Sequence, residues 1–141
     1  MSRVINTDST GKQRNQLLRT IAELLRRLSQ KQEIDEDAKD MAAHLVLCLR
    51  DIDLGIDSSA AAWEKRDYWM KADELRTRWA WAGALAAQIQ QVVLDERWND
   101  LPATMVKLMP RVSDIDVNKL TRKESTWRGS YGRLLMERPG R

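Results

Sequence analysis

Phenylalanine is absent from this sequence, and cysteine and histidine occur once each, as Cys48 and His44. A single cysteine excludes an internal disulfide and favours a reducing compartment, the cytoplasm. Two potential cysteine or histidine ligands are too few for a structural zinc site, which normally takes four. Glycine and proline are also scarce, at six and three residues. Together with the sparse strand-forming residues, these shortages favour helices over strands.

Long hydrophobic runs are missing too. The longest uncharged run, residues 79–94, contains three glutamines and is shorter than the roughly 20 apolar residues of a membrane-spanning helix. The N-terminal sequence has no apolar stretch of the signal-peptide kind. We therefore predict a cytoplasmic protein that has no membrane partner.

The composition suits one globular domain with its own core. The chain has 141 residues, of which 43% are hydrophobic and 32% charged. The spacing of the apolar residues predicts an all-α fold, a compact bundle of four to five helices, and we assign residues 1–112 to this helical bundle domain. Residues 113–141 show no sustained period and contain several glycines. We predict that they form an irregular basic C-terminal tail, packed on the bundle or extending from it.

Apolar residues at helical spacing predict two helices in the first part of the chain. The first begins after Ser9 or Thr10, either of which can cap it, and runs to about Gln30. The second begins near Asp35, where acidic side chains meet the positive end of the helix dipole. We expect Gly55 to end this second helix.

The middle of the chain carries the strongest helical pattern. A third segment is predicted from Ser58 or Ser59, either of which can cap it, to a bend near Asp67. A long helix over residues 68–94 follows, and a short helix with Pro102 in its first turn comes after it. The pattern leaves open whether the third segment and the long helix are one helix or two.

Charge is distributed unevenly along the chain, although the net charge is only +3. Residues 1–31 carry seven basic and two acidic side chains, residues 32–110 nine and fifteen, and residues 111–141 eight and four. Two interpretations stay open: the basic ends dock on the acidic middle, or they bind a polyanion. The candidate nucleic-acid contacts are Arg14, Arg19, Arg26, Arg27, Arg122, Lys123, Arg128 and Arg133.

Four tryptophans occur within residues 63–81, WEKRDYWMKADELRTRWAW. The candidate core or interface aromatics are Trp63, Trp69, Trp79 and Trp81. Because successive helical residues turn by about 100°, Trp79 and Trp81 point almost opposite ways, and we expect that they cannot share one interface. The small residues Ala80, Gly83, Ala84 and Ala87 form a strip that another helix can approach closely. This pattern favours a helix contacted on two sides, by its own bundle or by a second copy of the chain, over a base-stacking surface.

One group of side chains has the residue types of a chemical site. Asp40, His44 and Cys48 are four residues apart and line one face of the second helix, as a cysteine nucleophile or a metal site would require. Cys48 falls within an apolar stripe, however, where a free cysteine behaves as a small hydrophobe. Residues 9–13, STGKQ, contain the Gly-Lys pair of a phosphate-binding loop but lack its first glycine and its final serine or threonine. We predict no catalytic site, no metal and no cofactor.

These observations favour a non-enzymatic helical interaction or scaffold module that self-associates or binds another protein. The alternative is a nucleic-acid-associated accessory protein that binds the phosphate backbone through its basic N- and C-terminal segments. A third hypothesis is a small-molecule sensor with a tryptophan-lined pocket.

Overall fold

The computed structural model describes residues 7–137, with side chains from residue 10 onward. Its five α-helices are Thr7–Ser29 (α1), Glu36–Lys65 (α2), Trp69–Leu94 (α3), Leu101–Leu108 (α4) and Ser130–Met136 (α5). Short 3₁₀ turns lie at Trp98–Asp100, Met109–Arg111 and Glu124–Thr126, and the described residues contain no strand. The predicted all-α bundle is confirmed. The outer ends of the predicted bundle domain and tail, residues 1–6 and 138–141, lie outside the described residues.

One hydrophobic core joins the five helices. The helix α2 packs against α1, α3 and α5, and α4 packs against α3. The leucine stripe of α1 is buried from Ile21 to Leu28, as its spacing predicts. The tail contributes Trp127, which is 2% exposed, and Leu134 to the same core. Burying an indole and a leucine side chain in this way favours the docked position of the tail by several kcal/mol, at about 1.5–3 kcal/mol per large apolar side chain.

The predicted starts of the first two helices have different outcomes. Asp35 is the N-cap of α2, and its carboxylate accepts a hydrogen bond from the Ala38 amide at 2.8 Å, so this prediction is confirmed. The prediction for α1 is wrong, because the helix begins at Thr7 and Ser9 and Thr10 lie inside it. No proline or glycine interrupts residues 7–10, so the sequence contains no barrier to an earlier start.

The prediction that Gly55 ends the second helix is also wrong. The helix α2 continues through Gly55, Ser58 and Ser59 and ends at Lys65. A glycine in a helix interior costs about 1 kcal/mol relative to alanine. The buried side chains of Ile52, Ile56 and Ala60 are four residues apart and form a continuous apolar face. Their burial outweighs the cost of one glycine.

The bend predicted near Asp67 is confirmed. The helix α2 ends at Lys65, α3 begins at Trp69, and Asp67 has a φ of 64°, which lies in the left-handed region. The backbone amides of Arg66 and Tyr68 both donate to the carbonyl oxygen of Trp63. This tight connection makes α2 and α3 an antiparallel hairpin.

The carboxylate of Glu23, in the middle of α1, is completely buried and faces the tail. It accepts hydrogen bonds from the backbone amides of Thr121 and Arg122, both at 2.8 Å. The Thr121 hydroxyl donates to it at 2.6 Å and the Arg19 guanidinium at 2.8 Å. Burial opposes ionisation of this carboxyl, but the hydrogen bonds outweigh burial and lower the pKa of Glu23 to about 2.

Three arginines of α1 bind the tail through its backbone carbonyl oxygens. The donor and acceptor residues are Arg19 with Asp116 and Lys119, Arg26 with Val117, and Arg27 with Arg122. In the opposite direction, the guanidinium of Arg122 donates to the Thr20 hydroxyl and to the backbone oxygen of Gln16, each at 3.0 Å. The two basic ends of the chain therefore lie against each other.

Acidic side chains of α2 hold the rest of the tail. The indole nitrogen of Trp127 donates to the Asp37 carboxylate at 2.7 Å. The Asp40 carboxylate accepts from the backbone amides of Gly129 at 3.1 Å and Tyr131 at 2.9 Å. The tail thus docks on the acidic middle of the chain, whereas α1 binds the tail rather than the carboxylates of α2.

We predict that Glu23→Ala lowers the free energy of unfolding by about 3 kcal/mol, because it leaves buried amide and guanidinium donors without an acceptor. Urea unfolding followed by tryptophan fluorescence measures this change. Glu36→Ala is the matched control, since Glu36 is an exposed residue of α2 whose ion pair with Lys39 spans 3.7 Å; it should cost less than about 1 kcal/mol. Equal losses in the two variants would contradict the role of Glu23.

The low pKa of Glu23 also predicts a pH dependence of stability. A carboxyl whose pKa is lowered from 4.5 in the unfolded chain to about 2 in the fold stabilises the protein fully above pH 4.5. This stabilisation is lost as the pH falls from about 4.5 towards 2. Unfolding free energies measured at pH 5 and pH 3 should therefore differ more for the unmodified protein than for Glu23→Gln, by about 2 kcal/mol. Parallel pH profiles would contradict this assignment.

Candidate interaction surfaces

The eight basic residues singled out in the sequence do not form one surface. Four of them, Arg19, Arg26, Arg27 and Arg122, donate to oxygens that hold the tail on α1. Lys123, Arg128 and Arg133 are exposed on the tail, where Arg128 pairs with Glu124 at 3.1 Å. Arg14 lies elsewhere, against α3. Four of the eight basic side chains therefore form hydrogen bonds that join α1 and the tail.

Arg14 belongs to a group of arginines and tryptophans that three elements bring together. Its guanidinium lies 5.0 Å from the ring centroid of Trp79, and the rings of Trp79 and Trp81 are 5.6 Å apart. The guanidinium of Arg111, which follows α4, lies 5.1 Å from the ring of Trp81. Arg78, exposed on α3, is close enough for its charge to act on Arg14. We call these five residues the arginine–tryptophan cluster.

This geometry overturns the expectation that Trp79 and Trp81 cannot share an interface. Their Cβ atoms leave the helix about 160° apart by the shorter way round, as the helical period requires. The long indole side chains nevertheless lean towards each other, so that their rings meet at a tilt of 33°. Both rings are partly buried against the core. The spacing of two tryptophans in the sequence determines the direction in which each side chain leaves the helix. Side-chain packing determines where each ring lies.

Sequence reasoning missed Arg78 and Arg111. Arg78 stands directly before Trp79, and Arg111 follows Pro110. The periodicity of α3 could have indicated Arg78, since it lies next to both tryptophans along the helix. No sequence signal connects residue 111 with residue 81, because their proximity depends on how α4 folds back along α3.

The electrostatics of the cluster are unfavourable for the protein alone. Burial lowers the pKa of Arg14, and the neighbouring charge of Arg78 lowers it further. Among the side chains that the structure describes, no carboxylate forms an ion pair with Arg14, Arg78 or Arg111. By contrast, Arg76 contacts two carboxylates, Glu64 and Asp57.

The connection between α2 and α3 exposes a second group of large side chains. Tyr68, Trp69 and Met70 form this hairpin tip, with Trp69 60% and Met70 80% exposed. Trp63 is partly buried beside it, with the Tyr68 ring edge-on at 5.5 Å and the Lys71 ammonium 5.1 Å from its ring. Three adjacent exposed apolar side chains at one end of a domain are typical of a contact surface rather than of a solvated helix end.

The small-residue strip of α3 is partly at the surface. Ala80, Ala84 and Ala87 are exposed, and the helical period places them within about 60° of Trp69 around the helix. Gly83 differs, since a Cβ atom there would come within 2.9 Å of the Asp53 carboxylate on α2. We call Trp69, Ala80, Ala84 and Ala87 the outward face of α3.

The polar side chains of α2 that suggested a chemical site hold α5 in place. His44 Nδ1 and the Ser130 hydroxyl lie 3.1 Å apart in a hydrogen bond, and Asp40 accepts from two backbone amides of the tail. Burial, and then the charge of Arg133, lower the pKa of His44. Cys48 is 2% exposed, and burial raises the pKa of its thiol to about 12. These residues have structural contacts that account for their positions.

In residues 10–137, no three His, Cys, Asp or Glu side chains come together as ligands for a metal ion. No helix within residues 7–137 is both apolar and long enough to span a bilayer. Comparison with protein families, curated proteins and solved structures finds no match for this chain.

The burial of Cys48 gives a direct prediction. At neutral pH a thiol-specific reagent should label the native protein at least about a hundred-fold more slowly than the protein in denaturant, because both access and the thiolate fraction are low. Time-resolved labelling with an Ellman-type reagent measures both rates. Rapid labelling of native protein would contradict the burial and reopen a nucleophilic role for Cys48.

Proposed function

We propose that the chain is a non-enzymatic helical interaction module that self-associates through the outward face of α3. The observation that carries this proposal is the position of Trp69. Its side chain is 60% exposed and shares one face of the helix with three exposed alanines. A large aromatic residue beside a smooth strip can pack into the matching strip of a second copy.

A two-fold arrangement fits this face. When two α3 helices lie antiparallel, a residue near the N-terminus of one meets a residue in the C-terminal half of the other. Trp69 of each copy then lies close to Ala84 of its partner when the two-fold axis passes near residues 76 and 77. Each protomer supplies both the large residue and the small one, as a self-complementary interface requires.

The charges around the hairpin tip support a second copy of the chain as the partner. Asp73 and Arg76, which carry opposite charges, lie within about 40° of Trp69 around α3, and a two-fold axis brings such a mixed surface against itself. Arg76 would lie near the axis, and its charge is already balanced by Glu64 and Asp57. A polyanion, by contrast, would meet acidic as well as basic groups here.

The absence of an enzymatic role is part of this proposal, and the burial of Cys48 and Ser130 supports it. Cys48 holds its proton at neutral pH because burial raises the pKa of its thiol. The Ser130 hydroxyl that His44 contacts is itself buried, at the start of α5. A nucleophile must reach its substrate, and neither side chain is open to one.

Binding of nucleic acid through the basic N- and C-terminal segments is less well supported. It requires the guanidinium groups of Arg19, Arg26, Arg27 and Arg122 to be free for phosphate. These groups donate instead to oxygens within the chain. Binding of a polyanion at these positions would have to displace the tail.

We predict that the protein is a dimer at tens of micromolar and that Trp69→Ala and Ala84→Glu each shift it towards monomer. Removing a central indole from an interface typically costs 2 kcal/mol or more, which corresponds to a dissociation constant about thirty-fold higher. Sedimentation equilibrium over a range of concentrations measures the change. A strict monomer at about 100 µM would rule out self-association.

Ala103→Glu is the matched control for Ala84→Glu. Ala103 is an exposed alanine on a helix, α4, and the substitution adds the same volume and charge. It should leave the dimer intact. A loss of dimer in all three variants would show that the effect is one of general charge or folding rather than of the outward face of α3.

A further inference from the structure

We infer that the arginine–tryptophan cluster, Arg14, Arg78 and Arg111 with Trp79 and Trp81, binds the phosphate backbone of single-stranded nucleic acid. The cluster lies where the first half of α1, the middle of α3 and the turn after α4 meet. It differs from the surface proposed for self-association, because Arg78 is about 180° around α3 from Trp69. The two surfaces share no residue.

The cluster brings three positive charges together. Arg14 lies over the ring of Trp79, the residue that follows Arg78, and Arg111 lies at the other end of the cluster. Across the described side chains, no carboxylate comes within ion-pair distance of any of the three. Gathering like charges without partners is unfavourable for folding, and such local conflicts concentrate where a ligand resolves them. An anion supplies the missing partner.

Indole rings hold two of the guanidinium groups in place. Arg14 and Arg111 each lie about 5 Å from an indole ring centroid. A cation–π contact restrains a guanidinium through the ring face. Neither group has a hydrogen-bond acceptor among the described residues, so its N–H donors stay available for phosphate oxygens. The arginines are thus oriented for an anion and not yet satisfied by one.

The aromatic rings favour single strands over other polyanions. Both indoles are partly exposed beside the arginines. An unpaired base can stack on the exposed part of an indole while a neighbouring guanidinium binds the adjacent phosphate. Duplex DNA keeps its bases stacked and offers only phosphates, and an acidic peptide has no base to stack on a ring.

The experiment is a fluorescence anisotropy titration of a labelled oligothymidylate, about 20 nucleotides long, at two salt concentrations. The test variant is Arg14→Gln with Arg78→Gln and Arg111→Gln. If these arginines bind phosphate, the variant should lose at least about tenfold in affinity at low salt. Its log–log salt slope should become shallower by about 2, at roughly 0.7 per lost contact on a single strand.

The matched control carries Arg66→Gln, Arg128→Gln and Arg133→Gln. These arginines are exposed elsewhere, and the control has the same net charge as the test variant. It should bind like the unmodified protein. Circular dichroism confirms that both variants are folded, and sedimentation shows that the oligomeric state of the test variant is unchanged, which separates this proposal from self-association.

Three outcomes would overturn the inference. The first is no binding of oligothymidylate at low salt, and the second is an equal loss in the test and control variants. The third is binding of duplex DNA or polyglutamate as tight as that of oligothymidylate, which would make the cluster a general polyanion or acidic-protein site. Quenching of indole fluorescence by the oligonucleotide, but not by polyglutamate, is the result expected for stacking.

Discussion

A buried carboxylate determines how the two ends of this chain meet. Glu23 is enclosed on α1 with four hydrogen bonds, three of them from Thr121 and Arg122 of the tail. Burying a charge without partners is costly, so Glu23 stabilises the fold only while the tail is docked. The tail in turn brings Trp127 and Leu134 into the common core. Docking of the tail and completion of the core are therefore one event.

The docked tail decides which basic groups face solvent. Arg19, Arg26 and Arg27 look like a basic helix face in the sequence, yet they donate to carbonyl oxygens of the tail. Those carbonyl acceptors are neutral, and Arg19 also forms an ion pair with the Glu23 carboxylate. The arginines of the cluster on α3 have no acceptor among the described side chains and are therefore the better candidates for an external anion.

The helix α3 contributes to two surfaces of different chemistry. One carries Trp69 and exposed alanines and suits a second helix. The other carries Trp79 and Trp81 with their arginines and suits an anion beside a flat group.

The sequence by itself determined most of the helices, because the spacing of apolar residues and the capping at Asp35 act within a few residues of each other. The helix α5 is the exception, since it lies in the segment predicted to be irregular. The sequence also determined the bend at Asp67. The prediction that Gly55 ends the second helix was wrong, because the burial of Ile52, Ile56 and Ala60 outweighs the local cost of a glycine. The tertiary structure alone decided the candidate sites: Glu23 meets Thr121 across 98 residues, and Arg111 meets Trp81 only because α4 folds back. A helical period reports which face is apolar. It contains no information about which distant residue covers that face, since many partners satisfy the same pattern and only the packed chain selects one.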